Sequence, residues 1–246
     1  MKPVIQVLAV GLACCLGSAV QAAVLTYSYQ ARVSSIVENA GPDAPFVYVS
    51  QSGFAGTPVA LGDTVTGSFQ YDTSVRLGNY QPPQQAGVDN RMYDSGENDY
   101  ISYVDNQTGL AFTSSLALNW LGLNQVRDSV PVPGGYAADY FGMTRGAMTD
   151  TMFSSATIFM DDIFGNAFQS AAMPTQLSLA AFQGTTLSGS FLRLSDKAYM
   201  SFSAEMTSLE RVEVPEPDSA ALFAIAAGGL FGLRRMRRTT RARENY

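Results

Sequence analysis

Two groups of acidic residues have the side-chain types and spacing that come closest to those of a catalytic or metal-binding site. The chain has no histidine, which removes the usual general base near neutral pH and the commonest metal ligand. Asp161-Asp162 is one group, and two carboxyl groups roughly 5 to 10 Å apart could hydrolyse a glycosidic bond. Because neighbours on a strand point to opposite faces, this pair fits a strand end or a turn better than a catalytic couple.

The second acidic group is the segment 89–105, where carboxylates and amides alternate. Hard cations such as calcium take several loop oxygens as ligands. The segment lacks the regular spacing of an EF-hand, so the sequence favours a solvated acidic loop, with a calcium site as the alternative. The side chains concerned are Asp89, Asn90, Asp94, Glu97, Asn98, Asp99, Asp105 and Asn106.

A nucleophile activated by a neighbouring base is not expected. Cysteine occurs only at Cys14 and Cys15, inside a segment that we expect to be removed on export. A serine–lysine dyad needs a desolvated lysine, whereas Lys197 lies two residues after Ser195 in a predicted turn. We therefore predict a protein that is not an enzyme, with no catalytic residue, no metal site and no cofactor.

Aromatic residues are the remaining candidates for ligand contact. Exposed rings on a sheet face can stack on sugars, but most rings here fall on the core side of their predicted strands. Tyr80, Tyr93 and Tyr136 lie in predicted loops. They are the expected contacts if the protein binds a glycan.

The N-terminus has the order of a secretory signal. Lys2 is followed by an apolar stretch over residues 4–16 and then by small residues, the order that signal peptides share. The apolar stretch is too short for a bilayer span, which needs about 20 residues. We predict a signal peptide over residues 1–22, cut by signal peptidase after Ala22 or, as the alternative, after Ala23.

The C-terminus joins a proline motif, an apolar run and a basic cluster. Pro215-Glu216-Pro217 precedes the apolar run 219–233. At about 1.5 Å per residue this run reaches roughly 22 Å, so as a transmembrane helix it needs local thinning of the bilayer and snorkelling arginines. The basic cluster that follows consists of Arg234, Arg235, Arg237 and Arg238.

This ending resembles the PEP-CTERM sorting signal in the order and spacing of its three parts, over residues 214–246. Residues 62–73, which read GDTVTGSFQYDT, are similar to a stretch that recurs in many exported, β-rich PEP-CTERM proteins. The resemblance implies processing by an exosortase, a membrane cysteine peptidase that cuts near Pro-Glu-Pro, in bacteria that make extracellular polysaccharide. It implies a destination and an architecture, and no activity.

The body between the two ends, residues 23–213, is acidic. It holds 8 basic and 18 acidic residues, a net charge of −10. This charge opposes binding to nucleic acid and to anionic membrane surfaces, because phosphate contacts require lysine and arginine. Cations, basic partners and neutral glycans are the partners that it favours.

Alternation of apolar and polar residues predicts a body made of strands. It is clearest over residues 25–34 and 64–71, and weaker over 100–104, 110–120, 153–160, 176–182, 187–194 and 198–209. Residues 78–98 are rich in proline, glycine and glutamine and predict a long surface loop. At Gly67, inside the second strand, the missing side chain predicts close packing of a backbone or a ring.

These patterns together predict one all-β domain over residues 23–213, an antiparallel β-sandwich of jelly-roll or Greek-key type. The expected function is that of an exported, exosortase-sorted protein of the cell surface or extracellular matrix, structural or adhesive among exopolysaccharide or in a biofilm. The membrane would hold it transiently through residues 219–233, after passage through the secretion machinery. A carbohydrate-binding module is the alternative, and a glycoside hydrolase is a weaker one.

Overall fold

The chain's fold comes from a computed structural model that describes residues 24–83, 86–115, 117–118, 122–129 and 138–213. These residues are all-β and contain no α-helix. None of their helical segments is long and apolar enough to cross a membrane. The predicted signal peptide with Ala22 and Ala23, and the predicted sorting signal over residues 214–246, lie outside the described residues.

Thirteen strands are present in the described part of the chain. They are β1 (Val24–Asn39), β2 (Val47–Tyr48), β3 (Gln51–Ser52), β4 (Val59–Ala60), β5 (Thr64–Asp72), β6 (Val88–Tyr93), β7 (Tyr100–Asp105), β8 (Ala111–Thr113), β9 (Leu123–Ser129), β10 (Asp139–Met148), β11 (Met152–Asp162), β12 (Gly184–Arg193) and β13 (Tyr199–Val212). One turn of 3₁₀ helix, Leu179–Ala181, lies between β11 and β12.

One antiparallel sheet contains all of these strands except the β3–β4 pair. Its order is β6-β9-β10-β11-β12-β13-β1-β5-β7-β8, with β2 added beside β1. Rings from distant parts of the sheet meet across its interior. The ring centroids of Phe69 on β5 and Phe141 on β10 lie 6.5 Å apart, and those of Tyr103 on β7 and Phe202 on β13 lie 5.5 Å apart. The sheet therefore faces itself across one core, which is consistent with a β-sandwich.

The two strands with the clearest alternation are confirmed. Along β1 the side chains of Leu25, Tyr27, Tyr29, Ala31 and Val33 are buried, and the intervening residues are more exposed. β1 pairs with β5 on one side and with β13 on the other. A strand at this central position buries one face completely, which is why its alternation is so regular.

The predicted loop over residues 78–98 was wrong in its second half, because it contains β6. β6 pairs with β9 and stands at one end of the described strand order. Of its six residues only Tyr93 is buried, so the apolar alternation that identifies a strand is absent. Residues 76–81 form hydrogen bonds with the edge of β6 that faces away from β9. For instance, the N–H of Gly78 donates to the carbonyl of Met92 at 2.9 Å.

Strands β9 and β10 were not predicted at all. The first four inward positions of β10 are Asp139, Phe141, Met143 and Arg145, all buried. Two charged residues among four inward positions, with Gly142 and Gly146 on the other face, hide the periodicity of a half-buried strand. Because these charged residues are buried with partners, the alternation of apolar and polar residues does not identify this central strand.

Two predicted strands were misplaced. The one over residues 110–120 is shorter, since β8 spans only Ala111–Thr113, and Leu116 and Trp120 lie outside the described residues. The one over residues 176–182 is instead irregular chain with the 3₁₀ turn. Its apolar residues Leu177 and Phe182 are buried. They fill the core from a connection between two strands and not from a strand.

That connection, residues 163–183, is fastened by three tyrosine hydroxyls. The hydroxyl of Tyr93 donates to the carbonyl of Ala171 at 2.6 Å, and that of Tyr71 donates to the carbonyl of Pro174 at 2.9 Å. The hydroxyl of Tyr27 accepts from the N–H of Leu177 at 2.9 Å. Each bond satisfies a backbone group that would otherwise be buried without a partner.

Candidate functional site

The acidic residues of segment 89–105 do not form one site. Asp89 pairs with Arg91 at 2.7 Å, and Asp94 pairs with Arg76 at 2.6 Å. Asp105 accepts the N–H of Gln107 at 2.8 Å and so closes its own turn. Within the described residues no three Asp or Glu side chains are grouped so that they could hold a metal ion.

Asp99, the fourth acid of that segment, lies in a buried network that sequence analysis did not find. Its Oδ2 accepts from Arg145 Nη2 at 2.5 Å and from Asn124 Nδ2 at 3.0 Å. Its Oδ1 accepts the N–H of Asp72 at 2.9 Å, and Oδ2 also accepts the N–H of Gly96 at 2.9 Å. This carboxylate therefore ties β5, β9 and β10 to the chain entering β7.

The two terminal nitrogens of Arg145 also donate to backbone and amide oxygens, whereas its Nε is buried and has no hydrogen-bond partner among the described residues. Its Nη1 donates to the carbonyls of Leu123 and Thr144, at 3.1 and 2.7 Å, and its Nη2 also donates to Asn124 Oδ1 at 2.9 Å. Burial lowers the pKa of Arg145, and Asp99 opposes that shift. Since the ion pair is fully enclosed, it fits a structural role better than contact with a ligand.

Asp161 and Asp162 are the last two residues of β11 and point to opposite faces, as predicted. Asp162 is buried, and Asp161 is partly exposed. Burial alone would raise the pKa of Asp162, but donated hydrogen bonds lower it, chiefly those from the backbone N–H groups of Asn166 and Phe164. The carboxylate caps the turn after β11, and the two side chains do not converge on one substrate.

Ser195 and Lys197 lie exposed in the turn between β12 and β13. Lys197 has a φ of 59°, in the left-handed region that such turns require. The exposure agrees with the solvated turn that the sequence predicts, and it leaves the lysine without the desolvation that a general base needs.

The three tyrosines expected as sugar contacts differ in position. Tyr80 is 69% exposed and remains available. Tyr93 was placed wrongly: it lies on β6, it is only 8% exposed, and its hydroxyl holds Ala171. Tyr136 lies outside the described residues.

A different group of side chains stands on the outer side of β6, β9, β10 and β11, and we refer to it as the outer aromatic face. It consists of Asn90, Gln125, Arg127, Tyr140 and Phe159. The rings of Tyr140 and Phe159 lie 5.4 Å apart and are tilted by 37°. The face is not predictable from the sequence, because three of its strands lack a clear apolar alternation.

No protein-family model matches the chain, and comparison with curated proteins and with solved structures likewise finds no similar protein.

Proposed function

We propose that the chain is an exported protein of the cell surface or extracellular matrix, sorted by an exosortase, with a structural or adhesive role among extracellular polysaccharide. The observation that carries the proposal is the order of the C-terminal sequence. Pro215-Glu216-Pro217, the apolar run 219–233 and the arginines from Arg234 onward follow one another in that order, with Asp218 alone between the motif and the run. A basic end retained on the inner side of the membrane would leave the body outside.

The character of the body supports this role. A large antiparallel sheet with a buried aromatic core needs neither thiol nor cofactor, so oxidising surroundings do not harm it. The net charge of −10 over residues 23–213 favours solubility outside the cell. The finer assignment, a two-layer β-sandwich of jelly-roll or Greek-key connectivity carrying a removable signal peptide, is part of the same proposal.

Mass spectrometry of the chain recovered from an exosortase-carrying bacterium tests the proposal. We expect the native chain to begin at Ala23, to end near Pro217 and to be recovered from the surface or the medium. Replacement of Pro215, Glu216 and Pro217 by alanine should leave a chain that ends at Tyr246 and stays in the inner membrane.

A matched control is the exchange of Thr239 and Thr240 for alanine, which changes the tail beyond the arginine cluster. This variant should be sorted like the native chain. A native surface chain that still ends at Tyr246, or a triple variant that is sorted normally, contradicts the proposal. The first outcome would instead indicate a permanent membrane anchor.

A further inference from the structure

The outer aromatic face places two rings where the fold does not need them for its core. Tyr140 and Phe159 occupy outward positions, and their chain neighbours Phe141 and Ile158 fill the interior. Phe159 is 38% exposed. Rings that stand on a sheet face in this way offer an apolar surface to a ligand from solvent.

Polar groups hold Tyr140 in a fixed position. Gln125 Nε2 donates to the Tyr140 hydroxyl oxygen at 2.5 Å and to Asn90 Oδ1 at 3.0 Å. The guanidinium carbon of Arg127 lies 5.9 Å from the centre of the Tyr140 ring. A ring that is held on several sides loses little further freedom when a ligand stacks on it, which favours binding.

A row of hydroxyl groups borders the rings on the same face. The Oγ1 atoms of Thr144 and Thr157 lie 3.0 Å apart. Thr157 stands two positions before Phe159 on β11, and Thr144 is its partner on β10. The row continues in register to Ser188 on β12 and Ser203 on β13. Hydroxyl groups beside aromatic rings match the alternating C–H and O–H surfaces of a sugar.

The charges on the face are balanced around Tyr140. In the strand register Tyr140 is paired with Arg127 on one side and with Asp161 on the other. The net negative charge of the body would repel an anionic polysaccharide. A neutral polysaccharide could form hydrogen bonds with both Arg127 and Asp161.

We propose that the outer aromatic face binds a neutral oligosaccharide segment of a polysaccharide, with the rings of Tyr140 and Phe159 as the stacking surface. Gln125 and Asn90 position the ring of Tyr140, and the row from Thr144 to Ser203 supplies hydroxyl contacts. The inference deepens the proposed function and rests on it, because sorting to the surface is what brings this face to polysaccharide.

Calorimetric titration of the full-length chain in detergent with cellohexaose, mannohexaose, xylohexaose and an oligogalacturonate tests the site. At least one neutral hexasaccharide should bind, and the anionic chain should bind more weakly. Tyr140→Ala and Phe159→Ala should each weaken binding on the order of 10-fold. Gln125→Ala, which keeps both rings but removes a hydrogen bond that positions Tyr140, should weaken it less.

Tyr48→Ala is the matched control, because Tyr48 is 79% exposed and strands β12, β13 and β1 separate its strand, β2, from β11. This variant should bind like the native chain. The inference is overturned if no neutral hexasaccharide binds, or if binding survives both ring variants while these remain folded by thermal melting. Titration does not depend on sorting, so a normal titration with failed sorting contradicts the proposed function alone.

Discussion

Arg145 Nη2 lies 2.5 Å from Asp99 Oδ2, and neither side chain has more than 1% of its surface exposed. The two residues come from β10 and from the turn before β7. Taking two charges out of water costs several kcal/mol for each ion, so the pair persists because each partner compensates the other. The backbone N–H groups of Asp72 and Gly96 and the amide of Asn124 complete the solvation of the carboxylate.

Removal of one partner should therefore be costly. We expect Asp99→Ala to lower the free energy of unfolding by about 3 to 5 kcal/mol, because Arg145 is left charged and buried. Chemical denaturation measures this change. Asp94→Ala is the control: Arg76 and Asp94 have side chains that are 82% and 36% exposed, and loss of such a pair should cost at most about 1 kcal/mol.

The pairing itself can be separated from the other bonds of Asp99. Asp99→Asn keeps oxygen and removes the charge, and Arg145→Met removes the cation. In a double-mutant cycle, Arg145→Met should cost less in the Asp99→Asn background than in the native chain. Additive losses would show that the two residues stabilise the fold independently.

This pair also shows why sequence reasoning reached only part of the fold. Strands β1 and β5 were predictable because inward positions such as Tyr27 and Phe69 are apolar without interruption. In β10 the inward positions include Asp139 and Arg145, whose partners are distant in sequence, so pattern analysis saw no strand. A buried ion pair is an interaction between segments, and a periodicity along one segment does not contain it.

The same reasoning applies to the candidate site. Tyr93 lies among polar residues and was predicted to be in a loop, yet it is the buried residue of an edge strand. Tyr140 and Phe159 become neighbours only through the pairing of β10 with β11. The opposite orientation of Asp161 and Asp162 was predictable, because it follows from strand geometry alone.

Asp63 and Asp105 provide a prediction about pH. Asp105 Oδ2 is buried and, among the described residues, has no hydrogen-bond donor. Burial raises the pKa of Asp63, and the adjacent carboxyl of Asp105 raises it further, against the lowering effect of the Ala60 N–H. The folded state therefore binds this proton more tightly than the unfolded state does. The resulting stabilisation is present below the unfolded-state pKa and is lost as the pH rises through the folded-state pKa.

Asp63→Asn should remove this dependence. The amide can keep accepting the N–H of Ala60 and can donate to Asp105, so the variant should be more stable than the native chain near neutral pH. Thermal melting from about pH 4 to about pH 7 should show a flatter profile for the variant. Asp150→Asn, in the exposed turn between β10 and β11, should keep the native profile. A variant that is less stable at neutral pH would contradict the assignment.

The tyrosine bonds to the connection 163–183 provide a further prediction. Tyr71→Phe leaves the buried carbonyl of Pro174 without its donor, which should cost about 1 to 3 kcal/mol. Limited proteolysis should then cut the connection faster than in the native chain. Tyr80→Phe, at a tyrosine that is 69% exposed, should change neither stability nor cleavage. Faster cleavage outside residues 163–183 alone would argue that Tyr71 does not fasten this segment.

Gly67 provides the last prediction, since the close packing expected at this position is confirmed. The ring of Tyr29 covers it, and the Tyr29 hydroxyl donates to the carbonyl of Ser102 at 3.0 Å. A Cβ at position 67 would lie 2.7 Å from the Tyr29 ring and closer still to that carbonyl. Gly67→Ala should therefore destabilise the fold by about 1 to 3 kcal/mol or more, measured by denaturant unfolding.

Gly53→Ala, whose Cβ would meet nothing within 4 Å, should be neutral or stabilising by up to about 1 kcal/mol. Equal effects of the two substitutions would mean that backbone entropy, and not the contact with Tyr29, selects glycine at position 67.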